Sequence, residues 1–306
     1  MSYTLPKDFR YLGAGKEAVQ YWSLPRRVWE PINSKATGKG IVIANLDTGY
    51  NRSHTLLPKP IAAQSFVKYE KDIADLHGHG SHTIGTCCGR DAAISPAFEA
   101  NLIVAKVLGR DGRGDDASVV RALKWAIDEG ANIINMSLGG SGYTPQLEDM
   151  ILYAESKGVL VVAAAGNDGY RGINTIGYPA KLQNVLCVGA YREDGKVASF
   201  SSGGREIDIV CPGERITSCS HQGSELAVMS GTSMAAPFAS ALCAVILEML
   251  LKAGAAWPSS VRWWLDFFSR NSVDINQPGH DHTSGFGVPD YHRLIERFGE
   301  GSLLWA

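Results

Sequence analysis

The feature that most constrains this fold is a series of short apolar segments in which hydrophobic and polar residues do not alternate. A strand with one face in water alternates, so segments without alternation are typical of strands buried on both faces of a parallel sheet. Helix-like segments separate these strands along the chain. That order predicts an α/β fold: a doubly wound, mostly parallel sheet with helices on both faces. The predicted strands are 41–46, 102–107, 133–136, 159–163, 185–188 and 207–210.

Helical periodicity predicts three long helices between and after these strands. In the first, Leu123 and Ile127 lie on one face, and Gly130 then favours a helix end. The third is small and apolar nearly throughout, so we expect it to be buried on most sides. Its richest apolar part, 238–251, contains Glu248 and is too short to predict a membrane span. The predicted helices are 117–129, 146–156 and 233–251.

The chain as a whole predicts one large domain. No repeat, low-complexity run or linker divides residues 31–306, whereas residues 1–30 lack clean periodicity and predict an N-terminal extension. Hydrophobic residues at 45% and charged residues at 20% are ordinary globular values. A net charge of −2 provides no basic surface for nucleic acid or an anionic membrane. We therefore expect protein, peptide or small-molecule partners, and a homo-oligomer is left open.

Cysteine usage bears on the cellular compartment. The six cysteines are scattered without the spacing of a metal site or a disulfide framework. Cys87 and Cys88 are adjacent, which suits neither a common disulfide nor a zinc pair. The first 22 residues also lack the continuous apolar core of a secretory signal. We therefore expect free thiols and a cytoplasmic location, with structural disulfides as the alternative.

An acid and a histidine occupy positions where α/β sheets place functional groups. Asp47 ends the apolar run IVIANLD, and ligands bind beyond the carboxyl ends of such strands. Taken alone, this acid also fits a turn before Thr-Gly. His79 opens the segment HGSHTIGT, where the following glycine allows backbone to approach closely. By itself, His79 also fits a surface turn or, with His82, half of a metal site.

A serine and an asparagine occupy comparable positions. Ser233 lies in SGTSMAAP, directly before the long apolar helix, where unpaired backbone amides favour developing negative charge. An N-cap role is the common alternative for such a serine. Asn167 follows an apolar strand in AAAGNDG and is either a left-handed turn residue or an amide directed into a cleft.

The acid, the histidine and the serine together supply the parts of a nucleophilic mechanism. A serine hydroxyl is a poor nucleophile at neutral pH and needs a base within hydrogen-bond reach. His79 can take the proton of Ser233 and return it to a leaving amine, since imidazole titrates near neutrality. Asp47 can hold the imidazole tautomer and stabilise the imidazolium.

The order Asp47, His79, Ser233 resembles that of the subtilisin-like serine protease (subtilase) family. Further blocks match this family in the same order, including AKVLGRDGRG, GYPAK, ASFSSGG and GFGVPD. The resemblance implies the subtilisin-like fold and a serine endopeptidase that hydrolyses peptide bonds through an acyl-enzyme. No cofactor is expected to be required for this chemistry. The short N-terminal extension is similar to that of intracellular subtilisins.

The resemblance also implies roles for other residues. Asn167 is expected to donate to the oxyanion together with the backbone N–H of Ser233. Gly112, Arg113 and Gly114 are expected to form an edge strand that pairs with extended substrate backbone. The primary specificity pocket has no acid at its base, so we expect the enzyme to prefer substrates with a large apolar or aromatic residue before the scissile bond. The expected pocket residues are Ser137, Leu138 and Gly139 on one wall, Ala164, Ala165 and Gly166 on the other, and Gly177 at the base.

The chain departs from the family pattern in two places. The segment after Thr86 is short and lacks an Asn-rich loop, so a high-affinity calcium site is not expected. A weak structural Ca²⁺ or monovalent cation on backbone carbonyls is left open, with the carbonyls coming from Ala180, Leu182 and Val185. The other departure is the extension, which is expected to cover the active site through residues 3–6 until it is cut. A disordered tail or a packing strap is the alternative.

Two other functions fit the same residues. Some subtilase relatives pass the acyl group to an amine instead of water, and they usually carry an insertion that shields the intermediate. No such insertion is evident in this sequence, which favours hydrolysis. The second alternative is a binding protein built on an inactive subtilase fold. The joint presence of the three triad residues and Asn167 argues against it.

Overall fold

The computed structural model describes residues 2–4 and 35–290. Its strands are β1 (Ser2–Thr4), β2 (Val42–Asp47), β3 (Ala62–Ser65), β4 (Asn101–Lys106), β5 (Arg113–Asp115), β6 (Ile133–Met136), β7 (Leu160–Ala164), β8 (Leu186–Tyr191), β9 (Ile209–Pro212), β10 (Ile216–Cys219), β11 (Leu226–Met229), β12 (Ser272–Val273) and β13 (Val288–Pro289). Its helices are α1 (His79–Cys88), α2 (Asp116–Asp128), α3 (Pro145–Ser156), α4 (Thr232–Lys252) and α5 (Val261–Asn271).

The centre is a seven-stranded sheet in the order β3-β4-β2-β6-β7-β8-β9. Every neighbouring pair in this sheet is parallel, which confirms the predicted α/β class. The six predicted strands form within three residues of the predicted bounds, as expected for boundaries read from a pattern. The edge strand β3 was not predicted because its sequence, AAQS, is neither apolar nor alternating.

The sheet separates two hydrophobic cores, and successive residues of its strands point into different ones. Ile43 packs into the core that contains α4, whereas Ala44 packs into the core that contains α2 and α3. Ile133 and Ile134 of β6 divide in the same way. Because both faces of each central strand are covered, apolar residues occur without alternation, and this explains the pattern in the sequence.

The long helix α4 lies at the centre of the larger core. It spans 21 residues and is long and apolar enough to cross a membrane by length and composition alone. The sequence-based expectation that this apolar segment is too short to span a membrane is therefore wrong, because the helix that contains it is long enough. However, 94% of its most apolar window is buried inside the protein, as is usual for the core helix of a soluble fold. Even Glu248 is buried, because its carboxylate accepts hydrogen bonds from the backbone N–H groups of Thr37 and Lys39.

Smaller antiparallel pairs complete the described part of the chain. Strands β10 and β11 form a hairpin, β12 pairs with β13, and β1 pairs with β5.

All six cysteines are buried and free, as expected from the sequence. The cytoplasmic location stays a prediction. Residues 5–34 lie outside the described residues, so the domain boundary at residue 30 stays a prediction as well.

Candidate active site

Asp47 and His79 form a buried pair at the carboxyl edge of the sheet. Asp47 is the last residue of β2, and His79 is the first residue of α1. The Nδ1 of His79 lies 2.7 Å from Oδ1 of Asp47, and each side chain is only 1% exposed. A carboxylate in this position holds the ring with its proton on Nδ1 and leaves Nε2 to act as a base.

Gly80 lets α1 approach the end of β2 closely enough for this contact, and Gly78 lets the chain turn into the helix. Gly78 precedes the helix with φ of 103°, and a Cβ there would lie 2.5 Å from Nδ1 of His221. Gly80 is helical, and a Cβ there would lie 2.5 Å from the carbonyl oxygen of Gly49. A side chain at position 80 would push the helix away from the turn that follows β2, whereas one at position 78 would be strained at this φ and would collide with the ring of His221.

Asp75 fixes the start of α1, and sequence reasoning missed it. Its buried carboxylate accepts hydrogen bonds from the backbone N–H groups of Gly78 and Ser81, from the Ser81 hydroxyl and from the Thr48 hydroxyl. Burial alone would raise the pKa of Asp75, but these hydrogen bonds outweigh it and hold the pKa below its usual value. The available signal was an acid four residues before His79.

We expect Asp75→Asn to lower the free energy of unfolding by about 1.5–3 kcal/mol at pH 7, since hydrogen bonds to a charged group are lost. The pKa of Asp75 is lowered in the folded state, so its contribution is present above the unfolded pKa and disappears as pH falls through the folded pKa. Denaturant unfolding in a Ser233→Ala background, which prevents self-digestion, measures this difference at pH 7 and in acid.

Asp72→Asn is the matched control for Asp75→Asn, because Asp72 is a nearby exposed acid that pairs with Arg52. We expect it to change the free energy of unfolding by less than about 1 kcal/mol. An Asp75→Asn loss that is equally large in acid would contradict the proposed role of the ionised carboxylate.

Ser233 lies at the start of α4, in the first turn of the helix. Backbone N–H groups of a first turn have no partner within the helix, so they can donate to a developing anion. The Ser233 hydroxyl donates to the carbonyl oxygen of Ser137 at 3.1 Å. Ser137 follows β6, the neighbour of β2, so the serine reaches the same sheet edge as Asp47.

The amide of Asn167 is oriented by Thr232, the residue before the serine. Its Oδ1 accepts hydrogen bonds from the backbone N–H of Thr232 at 2.9 Å and from the Thr232 hydroxyl at 3.0 Å. The amide NH₂ is therefore the group left to donate. A Cβ at Gly231 would lie 3.2 Å from this nitrogen, so glycine keeps the approach to it open.

The predicted pocket walls lie next to each other. Backbone hydrogen bonds join Gly140 and Tyr178 in both directions, and the Gly177 N–H donates to Ala165 at 3.1 Å. The loop after β6, the loop after β7 and the segment at Gly177 are thereby connected, and their role as a specificity pocket stays a prediction. Leu138 and Ala164 contribute buried apolar surface to the two walls.

A buried lysine near Asp47 is a second feature that sequence reasoning missed. Lys106 ends β4, is fully buried and donates to the carbonyl oxygen of Thr48. Its Nζ also lies 3.2 Å from Oε2 of Glu70. It therefore fixes the turn that follows the acid. A lysine at the end of an apolar strand was the visible signal.

The donors near the predicted cation position do not fit a strongly held calcium ion. Leu182, Val185, Glu206 and Asp208 line one cavity of about 690 Å³. Burial raises the pKa of Asp208 to about 8, while Glu206 already bonds to Asn174 and ion-pairs with Arg205. Calcium prefers six to eight oxygens with several committed carboxylates. The weak cation site stays a prediction and has no part in the chemistry below.

An α/β sheet whose carboxyl edge holds an Asp–His pair, with a serine at the start of the adjoining helix, defines a serine hydrolase. The Subtilase family model matches residues 38–287 of the chain. The chain therefore belongs to the subtilase family and is a subtilisin-like serine endopeptidase, which confirms the sequence prediction.

Individual relatives show the same similarity. Subtilisin BL from Lederbergia lenta is 39% identical over 219 residues, which are 71% of this chain and 79% of that protein. Subtilisin DY from Bacillus licheniformis is 38% identical over 215 residues, 69% of this chain and 78% of that protein. The minor extracellular protease Epr from Bacillus subtilis is 33% identical over 293 residues, 93% of this chain and 43% of that protein.

Proposed function

We propose that the endopeptidase cleaves after large apolar or aromatic residues, through an acyl-enzyme on Ser233. The observation that carries the mechanism is the buried hydrogen bond between His79 and Asp47, because it leaves Nε2 of His79 as a base. His79 takes the hydroxyl proton as Ser233 attacks the peptide carbonyl carbon. It then gives that proton to the leaving amine, and a water molecule attacks the acyl-enzyme by the reverse route.

The negative charge on the attacked oxygen has two donors in this proposal. One is the backbone N–H of Ser233 in the first turn of α4, and the other is the amide NH₂ of Asn167. The Thr232 contacts that fix the Asn167 oxygen support this role, because a donor that is already oriented costs no reorganisation during the reaction. For the corresponding asparagine of subtilisin itself, loss of this donor is known to cost about 10²–10³ in kcat.

The chemistry of the pocket walls supports the preference for apolar residues. The walls offer backbone and the side chains of Leu138, Ala164 and Ala165, all buried, and Gly177 contributes no side chain at the base. None of the predicted pocket residues is charged. A Lys or Asp side chain entering this pocket would lose its hydration without gaining a partner, whereas a Phe or Leu side chain would gain from burial.

Peptide substrates that differ only in the residue before the scissile bond test this preference. We expect kcat/KM for Phe and Leu to exceed that for Lys and Asp by at least about ten-fold, since an unpaired charge would be desolvated. Chromogenic tetrapeptides assayed with the parent chain and with Ser233→Ala measure it. Equal cleavage after Lys and Phe would refute the preference, and activity that persists in Ser233→Ala would refute the mechanism.

We also propose that the N-terminal segment restrains the enzyme. Strand β1 pairs antiparallel with β5, with Ser2 opposite Asp115, Tyr3 opposite Gly114 and Thr4 opposite Arg113. The β5 strand overlaps the segment expected to pair with substrate backbone. An edge strand offers one row of backbone groups, so β1 and a substrate strand would compete for it. Leu5 and Pro6, the other residues of the predicted contact, lie outside the described residues.

We expect removal of residues 1 to about 20 to raise kcat/KM, mainly through a lower KM, because a tethered competitor has a high effective concentration. Intact mass spectrometry identifies each form before its activity is measured. A peptide of residues 1–8 added to the truncated enzyme should inhibit competitively, whereas a scrambled peptide should not. Equal kcat/KM for both forms would dispose of the proposed restraint.

A further inference from the structure

A row of buried polar side chains lies in the core beneath the Asp–His pair. Asn135 of β6 donates from Nδ2 to Oδ1 of Asn45 in β2 at 2.8 Å. Asn45 in turn donates from its Nδ2 to the hydroxyl of Thr83 in α1 at 3.0 Å. The Thr83 hydroxyl lies 3.1 Å from Oδ2 of Asp47. The row thus connects two strands and the first helix, and it ends on the acid of the active site.

A second branch from the same asparagine leads to the serine. The Nδ2 of Asn135 also donates to the Ser137 hydroxyl at 3.0 Å, and Ser137 donates to the carbonyl oxygen of Ser233 at 2.9 Å. The Ser240 hydroxyl, about two turns further along α4 than Ser233, lies 3.1 Å from Oδ1 of Asn135 and 3.0 Å from the Ala236 carbonyl oxygen, so both can accept its proton. Asn135 therefore uses both amide protons and its oxygen, and these bonds link it to both ends of the triad.

The hydroxyl proton of Thr83 has two neighbours that could accept it. One is Oδ2 of Asp47, and the other is the Gly80 carbonyl oxygen in the same helix, at 3.0 Å. The single proton can form a well-aligned hydrogen bond to only one of these oxygens. A hydrogen bond to a buried carboxylate is stronger than one to a carbonyl oxygen. Asp47 therefore receives it, while Asn45 occupies an acceptor position of the same hydroxyl.

The same contacts fix the orientation of both amides. If the side-chain amide of Asn45 were flipped, so that Oδ1 and Nδ2 changed places, its NH₂ would face the NH₂ of Asn135. Its oxygen would then accept the Thr83 proton in place of Asp47. Turning both amides would restore the contact between them but would still divert that proton. The observed orientation is the one that supplies a donor to Oδ2 of the buried acid, and buried carboxylate oxygens without donors are costly.

We propose that Thr83 is a positioning residue for the protease reaction and that Asn45 orients its hydroxyl. Oδ1 of Asp47 is held by the Nδ1 of His79 and the backbone N–H of Thr48, whereas Thr83 supplies the hydrogen bond that the described residues show for Oδ2. Without it, Oδ2 would be buried without this donor, and the carboxylate that orients His79 would be held through Oδ1 alone. This inference rests on the proposed triad mechanism.

Replacing Thr83 by Val removes the hydroxyl and keeps the shape of the side chain. A lost hydrogen bond to a charged group should lower kcat about ten- to hundred-fold, with KM nearly unchanged because Thr83 does not contact substrate. Thr83→Ser restores the hydroxyl and should recover most of kcat. Thermal unfolding of each variant, made in a Ser233→Ala background, shows whether folding accounts for any loss.

Thr86→Val is the matched control. Thr86 lies one turn further along α1, is equally buried and donates to the His82 carbonyl oxygen without contacting the triad. Its loss should leave kcat within about two-fold, even where it lowers the melting temperature. A kcat decrease that is as large in Thr86→Val as in Thr83→Val would show a general packing effect and would overturn the proposal.

A spectroscopic measurement separates this inference from the proposed function. The proton between Nδ1 of His79 and Oδ1 of Asp47 should give a low-field ¹H NMR signal, which is visible without turnover. We expect this signal to shift or broaden in Thr83→Val, to return in Thr83→Ser and to be unchanged in Thr86→Val. An unchanged signal and kcat in Thr83→Val would overturn the role of Thr83. If the parent chain did not cleave peptides, the proposed function would fail, and the NMR comparison would still decide the role of Thr83.

Discussion

The hydrogen bond between His79 and Asp47 is the contact on which the site depends, because it joins the central sheet to its first helix. A buried carboxylate is costly unless hydrogen bonds compensate it. Asp47 obtains them from His79, from the backbone N–H of Thr48 and from the Thr83 hydroxyl. The same contacts that make the burial tolerable also hold the imidazole in one orientation, so stability and positioning have a common cause.

Much of the surrounding structure keeps this contact short. The glycine at position 80 permits the close approach of α1, and Asp75 accepts hydrogen bonds from N–H groups at the start of this helix. Lys106 holds the turn after the acid from the other side. On the far side of the site, Asn167 and Ser233 are fixed through Thr232 and the first turn of α4. Each residue of the site is thus held by an element that also contributes to the core.

The sequence predicted the parts of this structure that depend on local pattern. Central strands such as Ile133–Met136 were predictable because both of their faces are buried, and Asp47, His79 and Ser233 because each lies at a strand end or helix start. The Asn135–Asn45–Thr83 row was not predictable, since Asn45 and Asn135 interrupt apolar segments and the partners of each residue come from distant parts of the chain. The pairing of β1 with β5 joins residues more than a hundred positions apart, so the sequence predicts that residues 3–6 cover the site but not which strand they pair with.

Covalent labelling with a serine-directed phosphonate tests the central claim, that Asp47 and His79 activate Ser233, most directly. The experiment uses the full chain and the chain without its first 20 residues, with peptide mapping of the product. The account predicts a single label on Ser233 that is absent in Ser233→Ala and forms far more slowly in His79→Ala and Asp47→Asn. A label on another serine, or labelling of Ser233 at the parent rate in His79→Ala, would contradict it.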